Sequence, residues 1–375
     1  MDQERRRTTW RAKHLWPASR LAGMENALRP TSAPTSASGR RTRRAARASK
    51  LVNLLAIVPC GLIAFATFAT VVPPRSGPLA LAMIFESQLF IAVLVVLTPI
   101  ALLARARFLA TALLVTLIAG AGMFGSEWVS LPGDGGSRND LSVMTWNLQY
   151  GTRTPAETAA ELEGVTADVI ALQELEPGPA IAIDADPAIR ARYPYRKMAP
   201  LPGASGLAIL SRYPIAKAQV AFAPSIIDVV LETPRGRVTV INSHPSRATI
   251  VTVTSLRIPI GYHPGVRDAE IAAIRGRIKT SLVNGERLLV VGDYNTSPSE
   301  ASYAVLTKGL RDTAVQVGEG PQWTWRPSRI DFLPLGFLRI DLQLTAGAIV
   351  PVSTSTDCSL AGDHCRLFGD YQING

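Results

Sequence analysis

The chain is short of two things that would make its chemistry easy to name. Cysteine is scarce, at three in 375 residues. Cys358 and Cys365, near the C-terminus, cannot make a zinc site without further ligands at suitable spacing. They read either as unpaired thiols or, in an oxidising compartment, as a disulfide. Cys60 lies in an apolar run and reads as packing. Charge is scarce as well: 18% of residues are charged against 47% hydrophobic, a balance that places part of the chain in a membrane. The net charge of +10 suggests nucleic acid until it is located. Residues 1–50 hold thirteen Lys/Arg against three Asp/Glu, and the rest of the chain sums to zero. A domain living on phosphate-backbone contacts shows a basic stripe, and bulk charge supplies none here. No internal repeat at solenoid periods is present, which excludes a repeat array.

What is present divides the chain. Residues 1–50 are Arg-rich, dotted with Ser, Thr, Pro and Ala, and without apolar periodicity, so a disordered cytoplasmic tail is expected. Whether the chain starts at Met1 or Met24 stays open. Three apolar runs fill residues 51–125: Leu51 to about Pro73, Leu79 to about Ala104, and Phe108 to about Gly125. A helix of about 20 residues crosses the hydrocarbon core, so three transmembrane helices are expected, with the lipid bilayer as a partner. Glu86, near one end of the second run, reads as interfacial or as an intramembrane functional carboxylate. The basic segment 1–50 and the Arg105/Arg107 loop both belong on the cytoplasmic side. Three crossings then put everything after Gly125 outside.

Residues 126–139 read as a Gly-rich linker, and residues 140–375 as one catalytic domain. Strand-like runs cover Leu141–Leu148, Val169–Leu172, Leu207–Leu210, Arg237–Asn242, Leu288–Val291, Ile340–Thr345 and Cys365–Gln372. Helical patterns cover 155–164, 266–283 and 299–309. Many strands with occasional helices fit an α/β fold in the form of a four-layer β-sandwich flanked by helices, here preceded by the transmembrane helices.

Polar residues recur at the ends of these runs, where a sheet holds them rigidly. Asn147 ends Val143–Asn147, Glu174 ends Asp168–Glu174, His244 ends Val240–His244, Asp293 and Asn295 end Leu288–Asn295, and Asp363 and His364 precede the last run. Hard oxygen ligands, too few for an all-protein cage, suit Mg²⁺. Histidines beside carboxylates suit proton transfer.

In order and spacing, Met144–Asn147, Asp168–Glu174, Gly206–Pro214, Asn242–His244, Gly292–Asn295, Arg339–Asp341 and Gly362–His364 resemble the endonuclease/exonuclease/phosphatase family of DNase-like metal phosphoesterases. The resemblance spans about 141–375. It implies Glu174 as principal Mg²⁺ ligand with Asn147 and Asp363 nearby, and Mn²⁺ as a possible substitute. It also implies Asp293 and Asn295 orienting water and phosphoryl oxygens, Asp341 holding His364, and His244 as the second histidine. Asp331, in the other Arg-Ile-Asp run, is the alternative to Asp341, and Pro334 interrupts the strand texture after it. Arg267 is either a substrate-phosphate contact or a solvated helix residue. Tyr294 stands for the usual Phe, Pro245 for an aliphatic residue, and Gly362 for the usual Ser.

The chain also looks like membrane-anchored members of the family in which three helices precede an external domain. Some of these are linked to cell-envelope lipid phosphates and glycopeptide resistance. The expectation is a membrane-anchored hydrolase of phosphate ester or pyrophosphate bonds acting on envelope lipid phosphates. An extracytoplasmic nuclease acting on nucleic acid is the runner-up, and a non-catalytic binding domain on the same scaffold is the rival of another class. A reporter fused after Gly375 is expected to be active only outside the cytoplasm. Activity of that fusion inside would reverse the orientation.

Overall fold

The computed structural model describes residues 36–129, 136–253, 258–359 and 362–375. In chain order the first helices are α1 (Ser36–Asn53), α2 (Ile57–Val71), α3 (Gly77–Ile84), α4 (Glu86–Leu103) and α5 (Arg107–Trp128). The rest runs β1 (Leu141–Asn147), α6 (Pro155–Glu163), β2 (Val169–Gln173), α7 (Pro177–Ala185), α8 (Pro187–Arg192), β3 (Tyr195–Ala199), β4 (Leu207–Ser211), β5 (Ile215–Phe222), β6 (Ser225–Thr233), β7 (Gly236–His244), β8 (Thr249–Val253) and β9 (Ile258–His263). It ends with α9 (Gly265–Val283), β10 (Leu288–Asp293), α10 (Ala301–Thr307), β11 (Arg311–Asp312), α11 (Thr313–Val317), β12 (Asp341–Ala346), β13 (Ile349–Asp357) and β14 (Arg366–Ile373).

Two six-stranded sheets carry the domain, in the orders β13-β14-β1-β2-β4-β3 and β11-β12-β10-β7-β6-β5. In each, the central pair is parallel, β1 with β2 and β10 with β7, and the outer pairs are antiparallel. A parallel pair needs a crossover, commonly a helix, and α6 and α9 supply the two. The inner faces meet in one apolar core that includes Val143, Val169, Ile209, Val229, Val240, Leu289 and Val291. Leu162, Ile183 and Ile189 of α6, α7 and α8 cover the outer face of the first sheet. Ile271, Ile274 and Ile278 of α9, with Leu306 of α10, cover the other. The four layers are helix, sheet, sheet, helix.

Local signals explain the crossover helices. Thr154 caps α6, accepting from the Glu157 N–H while Glu157 accepts from the Thr154 N–H, and Pro155 occupies the first turn. In α9 the buried isoleucines fall on one face at helical spacing.

Buried polar side chains pin the sheets together. Gln173 Nε2 donates to Asn242 Oδ1 (2.7 Å) and Thr145 Oγ1 (3.0 Å), while Asn242 Nδ2 donates to the Leu172 and Ala208 carbonyls (2.9 Å each). Gln343 Nε2 donates to the Leu367 carbonyl (3.0 Å). Buried polar groups left without partners are costly, so these bridges fix how one sheet lies on the other.

The apolar N-terminal region contains three helices long and apolar enough to cross a membrane: Arg43–Val71, Glu86–Leu103 and Arg107–Trp128. Three sequence expectations change here. Residues 36–50, expected to be disordered, are helical in α1, as an Ala/Arg-rich segment with high helix propensity can be; residues 1–35 lie outside the described residues. The second apolar run is two helices, because the chain turns at Phe85 and α3 packs Ala80 and Ile84 against Tyr262, Leu338 and Ile340 of the two-sheet domain. The third helix continues to Trp128, into the expected linker, where Trp128 meets Trp323 edge-on and its carbonyl accepts from the Gly320 N–H (2.8 Å). Glu86 is buried at the first turn of α4.

Cys358 and Cys365 form a disulfide on either side of the Asp363–His364 corner. Closing so short a loop stabilises by roughly 2–3 kcal/mol in the chain-entropy account. Under non-reducing denaturation neither cysteine is expected to alkylate. Cys365→Ser should lower the midpoint of thermal unfolding by several degrees, and an unchanged midpoint would remove the bridge from the stability of this corner.

Candidate active site

The sheets deliver their polar residues to one edge. Asn147 ends β1, Glu174 follows β2, His244 ends β7, Asp293 ends β10, Asp341 begins β12, and Asp363 and His364 lead into β14. Because β1/β2 and β7/β10 are parallel pairs, their C-terminal ends lie on the same side of the sandwich. Asp293 and Asp341 pair directly in the ladder. Gly292 makes a close approach possible at this edge: its φ is +137°, and a Cβ there would sit 2.1 Å from the Ser243 carbonyl oxygen.

Asn147 is the link between the two sides. Its Nδ2 donates to Glu174 Oε1 (3.1 Å) and to Asp293 Oδ2 (2.9 Å), and its Oδ1 accepts from the Gln149 N–H (2.8 Å). Glu174 Oε2 accepts from the Tyr150 N–H (2.9 Å). Asn295 Nδ2 donates to the Pro245 carbonyl (3.1 Å) and lies 3.2 Å from His244 Nε2, and its N–H donates to Asp293 Oδ1 (2.9 Å). Gln149, Glu174 and Asn295 all hold φ near +50°. Such left-handed backbone costs a non-glycine residue free energy and persists where the surroundings fix it, often at functional sites.

The two histidines are oriented by different partners. His244 Nδ1 donates to the Ala204 carbonyl (2.9 Å), leaving Nε2 facing Asp293 Oδ2 (3.3 Å) and Glu174 Oε1 (3.8 Å). Burial works against its charged form, but the Asp293 hydrogen bond and the Asp293 and Glu174 charges outweigh it, so its pKa is raised. His364 Nδ1 lies 2.9 Å from Asp341 Oδ2, and its Nε2 lies 3.6 Å from Asp293 Oδ2. Its burial is likewise overcome by Asp341 and Asp293, which push it up to about 10. Burial also raises Asp341 against the pull of His364, so both partners favour holding the shared proton. The 2.9 Å contact puts that proton between His364 Nδ1 and Asp341 Oδ2. Asp293 is itself held below the usual carboxylate range: burial raises it, but the charge of His364, the hydrogen bond and charge of His244 and the Asn147 amide together prevail.

Asp363 completes the edge. Burial raises its pKa, His364 lowers it, and the charges of Glu174 and Asp293 raise it further. Its Oδ1 is buried without a hydrogen-bond partner among the described residues. A buried carboxylate oxygen with no donor, crowded by like charge, fits a divalent cation shared with Glu174 and the Asn147 side of the site. Asp293, Asp341 and His364 also gather ligand-capable atoms within 4.8 Å of one another. There, however, His364 Nδ1 is already engaged by Asp341 Oδ2.

Of the two Arg-Ile-Asp runs, the second brings its carboxylate to His364, while Asp331 closes a short 3-10 turn at Ser328–Ile330. Arg267 takes neither expected role. It is buried, pairs with Glu300 (2.7 Å) and donates to the Asn295 carbonyl (2.7 Å), supporting the Asp293–Asn295 loop from behind. Residues that sequence reasoning missed are also supports: Thr324 Oγ1 accepts from the Asp341 N–H (3.1 Å), the Arg326 N–H donates to the Asp363 carbonyl (2.8 Å), and Gln149 Oε1 accepts from the Asp363 N–H (3.1 Å). The irregular segment 318–340 carries no periodic signal. Gly362, where Ser was expected, has φ +126°, a conformation that favours glycine.

The site floors a cleft of about 640 Å³. Glu174, His244, Asp293, Asn295, Asp363 and His364 line one end, and Leu81, Ile84 and Phe85 of the α3 region wall the other.

The model of the Endonuclease/Exonuclease/phosphatase family matches residues 144–364. No curated protein sequence matches the chain. Among solved structures, an endonuclease/exonuclease/phosphatase from Beutenbergia cavernae aligns at 20% identity over 64% of this chain and 72% of its own, with a TM-score of 0.48. A 3′ phosphatase from Neisseria bound to a product DNA hairpin aligns at 18% identity over 62% and 99%, TM-score 0.48. Sphingomyelinase C from Streptomyces griseocarneus aligns at 17% identity over 61% and 98%, TM-score 0.43. The chain belongs to the endonuclease/exonuclease/phosphatase family and is a metal-dependent hydrolase of phosphoester bonds.

Proposed function

We propose that this chain is a membrane-anchored, Mg²⁺-dependent phosphoesterase that hydrolyses phosphate ester or pyrophosphate bonds of envelope lipids, with its catalytic domain outside the cytoplasm. The observation that carries the substrate reading is the cleft: its apolar wall is α3, the segment that leads directly into the membrane helix Glu86–Leu103. Among the described residues lining it, Arg247 is the one Lys or Arg, where a groove for nucleic acid calls for a row of them. The orientation rests on the basic residues before the first span and at Arg105 and Arg107. The Cys358–Cys365 disulfide accords with an oxidising compartment.

In this reading Glu174, Asp363 and Asn147 would hold Mg²⁺, with Mn²⁺ as substitute, and the ion would supply positive charge against the phosphoryl oxygens. Asp293, kept ionised by the histidines around it, orients the attacking water and accepts its proton, and Asn295 fixes that carboxylate and hydrogen-bonds a phosphoryl oxygen. His364, its Nδ1 proton held by Asp341, presents Nε2 to charge developing at the phosphorus. His244, anchored on the Ala204 carbonyl, offers Nε2 from the other side. Donors fixed before the reaction need no reorganisation during it, which is how such a site lowers the barrier.

Glu174→Gln is expected to lower turnover by more than about 10²-fold, since loss of even supporting groups around a metal costs 10–100-fold. Mg²⁺ should raise the unfolding temperature of the wild type and leave that of the variant unchanged, and an equal rise in both would remove Glu174 from the metal site. Asp341→Asn and His364→Ala should each cost about 10²–10⁴-fold, and the double variant little more than either single one, because the pair acts as one unit. Losses that multiply independently would separate the two residues. The substrate class is tested with the full chain in vesicles, comparing a lipid pyrophosphate, a soluble phosphodiester and duplex DNA. Faster turnover of DNA than of lipid would overturn the lipid reading in favour of a nuclease.

A further inference from the structure

Between His244 and α9 the chain leaves both large sheets as a separate antiparallel pair, β8 with β9, in which Ile250 faces Tyr262 and Val253 faces Ile258. An isolated two-stranded hairpin is marginal in water and needs something to pack on. It has α3: Tyr262 is buried against Ala80 and Ile84, and its hydroxyl donates to Glu300 Oε2 (2.6 Å). Five of the large apolar side chains on the two strands are turned outward. Ile250 is 53% exposed and Ile258 48%, with Val251, Val253 and Ile260 exposed beside them. Thr249–Val253 and Ile258–His263 contain no Asp, Glu, Lys or Arg. Natural proteins place charges on free strand edges to prevent pairing with other chains, and these two strands carry none.

Three contacts fix where this surface stands. Phe85 alone separates α3 from the membrane helix α4. Gln88, two residues into that helix, donates to the Phe337 carbonyl and so draws the 331–337 loop to the same level, where Phe332 and Leu335 are exposed. At the end of the third membrane helix, Trp128 is tied to Gly320 and Trp323. The catalytic domain therefore sits on the outer ends of its own membrane helices, and the hairpin, packed on α3, lies beside them. Ile250 also lines the cleft that holds the catalytic groups.

We propose that the β8–β9 hairpin is a bilayer-docking surface. Its β-branched side chains seat in the leaflet next to α3, so that the cleft opens sideways to lipid and admits an amphiphile by its phosphate head while the hydrocarbon stays in the membrane. The substrate half of this inference rests on the lipid-phosphoesterase reading, and the docking half does not.

The full chain, with Cys60→Ala to leave its disulfide as the sole remaining cysteine pair, receives single cysteines at Val251 or Ile260, labelled with a polarity-sensitive dye and reconstituted into phosphatidylcholine vesicles containing acyl-brominated lipid. A control label goes at Ile181, exposed on α7. Labels at 251 and 260 are expected to shift to the blue and to be quenched by the brominated lipid, and the label at 181 to do neither. Labels at 251 and 260 that behave like the one at 181, or that are shielded only by crosslinkable contact with a second chain, overturn the docking surface. In a second arm, Val253→Asp with Ile258→Asp should lower the ratio of vesicle-lipid to soluble-phosphodiester turnover by about tenfold, since interfacial binding scales with buried apolar area. An unchanged ratio overturns the role of the hairpin in substrate entry. Quenched labels in a protein that turns over no lipid would sustain the docking surface and sink the lipid-phosphoesterase reading alone.

Discussion

The hydrogen bond from Asn147 Nδ2 to Asp293 Oδ2, 2.9 Å long and buried, crosses from one sheet to the other at the edge where the chemistry is gathered. The same nitrogen reaches Glu174, so a single amide ties the oxygen-rich side of the site to the histidine side. That contact exists only if the two sheets are stacked at a fixed height and angle, and the Gln173–Asn242 bridge behind it sets both. Side-chain amides suit such a junction because they give and accept hydrogen bonds without bringing charge into a place already crowded with it.

Crowding of charge is the second constraint. Glu174, Asp293, Asp341 and Asp363 converge on two imidazoles, and burial magnifies every interaction among them. Against burial, the two histidines hold the Asp293 carboxyl down, and Asp341 and Asp293 push the pKa of His364 up. Asp341 and Asp363 each keep an oxygen without a hydrogen-bond partner among the described residues and have like charge nearby, and of the two Asp363 is the one that feels Glu174. The like charge of Asp363 and Glu174 meets there, and a divalent cation between them would relieve it.

The catalytic domain is not hung from its membrane helices by a loose tether. α3 forms part of its apolar packing, Gln88 hydrogen-bonds its backbone, and Trp128 stands against Trp323. The wall of the active-site cleft and the start of a membrane helix are consecutive residues. That continuity limits how far the cleft can move from the helix Glu86–Leu103, and it gives the exposed hairpin a natural neighbour.

The sequence by itself determined the class of fold, the three apolar spans and the residues offered at strand ends, because those depend on local periodicity and on short runs of fixed order. The strands Leu141–Asn147, Val169–Gln173 and Leu288–Asp293 are buried on both faces, and the last two read as near-continuous apolar runs. By contrast β5 is mostly exposed and β3 half-buried at sheet edges, so neither shows an alternating pattern. Only the tertiary structure decided that Asp341 and not Asp331 meets His364, that Arg267 props the Asn295 loop from behind, and that Thr324 and Arg326 steady the corner around Asp363. It also decided that the first residues of an apolar run, 79–84, belong to a separate helix that walls the cleft, and that a hairpin hidden between two motifs lies beside it. Each of these joins residues far apart in the chain through packing and hydrogen bonds, and no local pattern encodes where a distant partner will be.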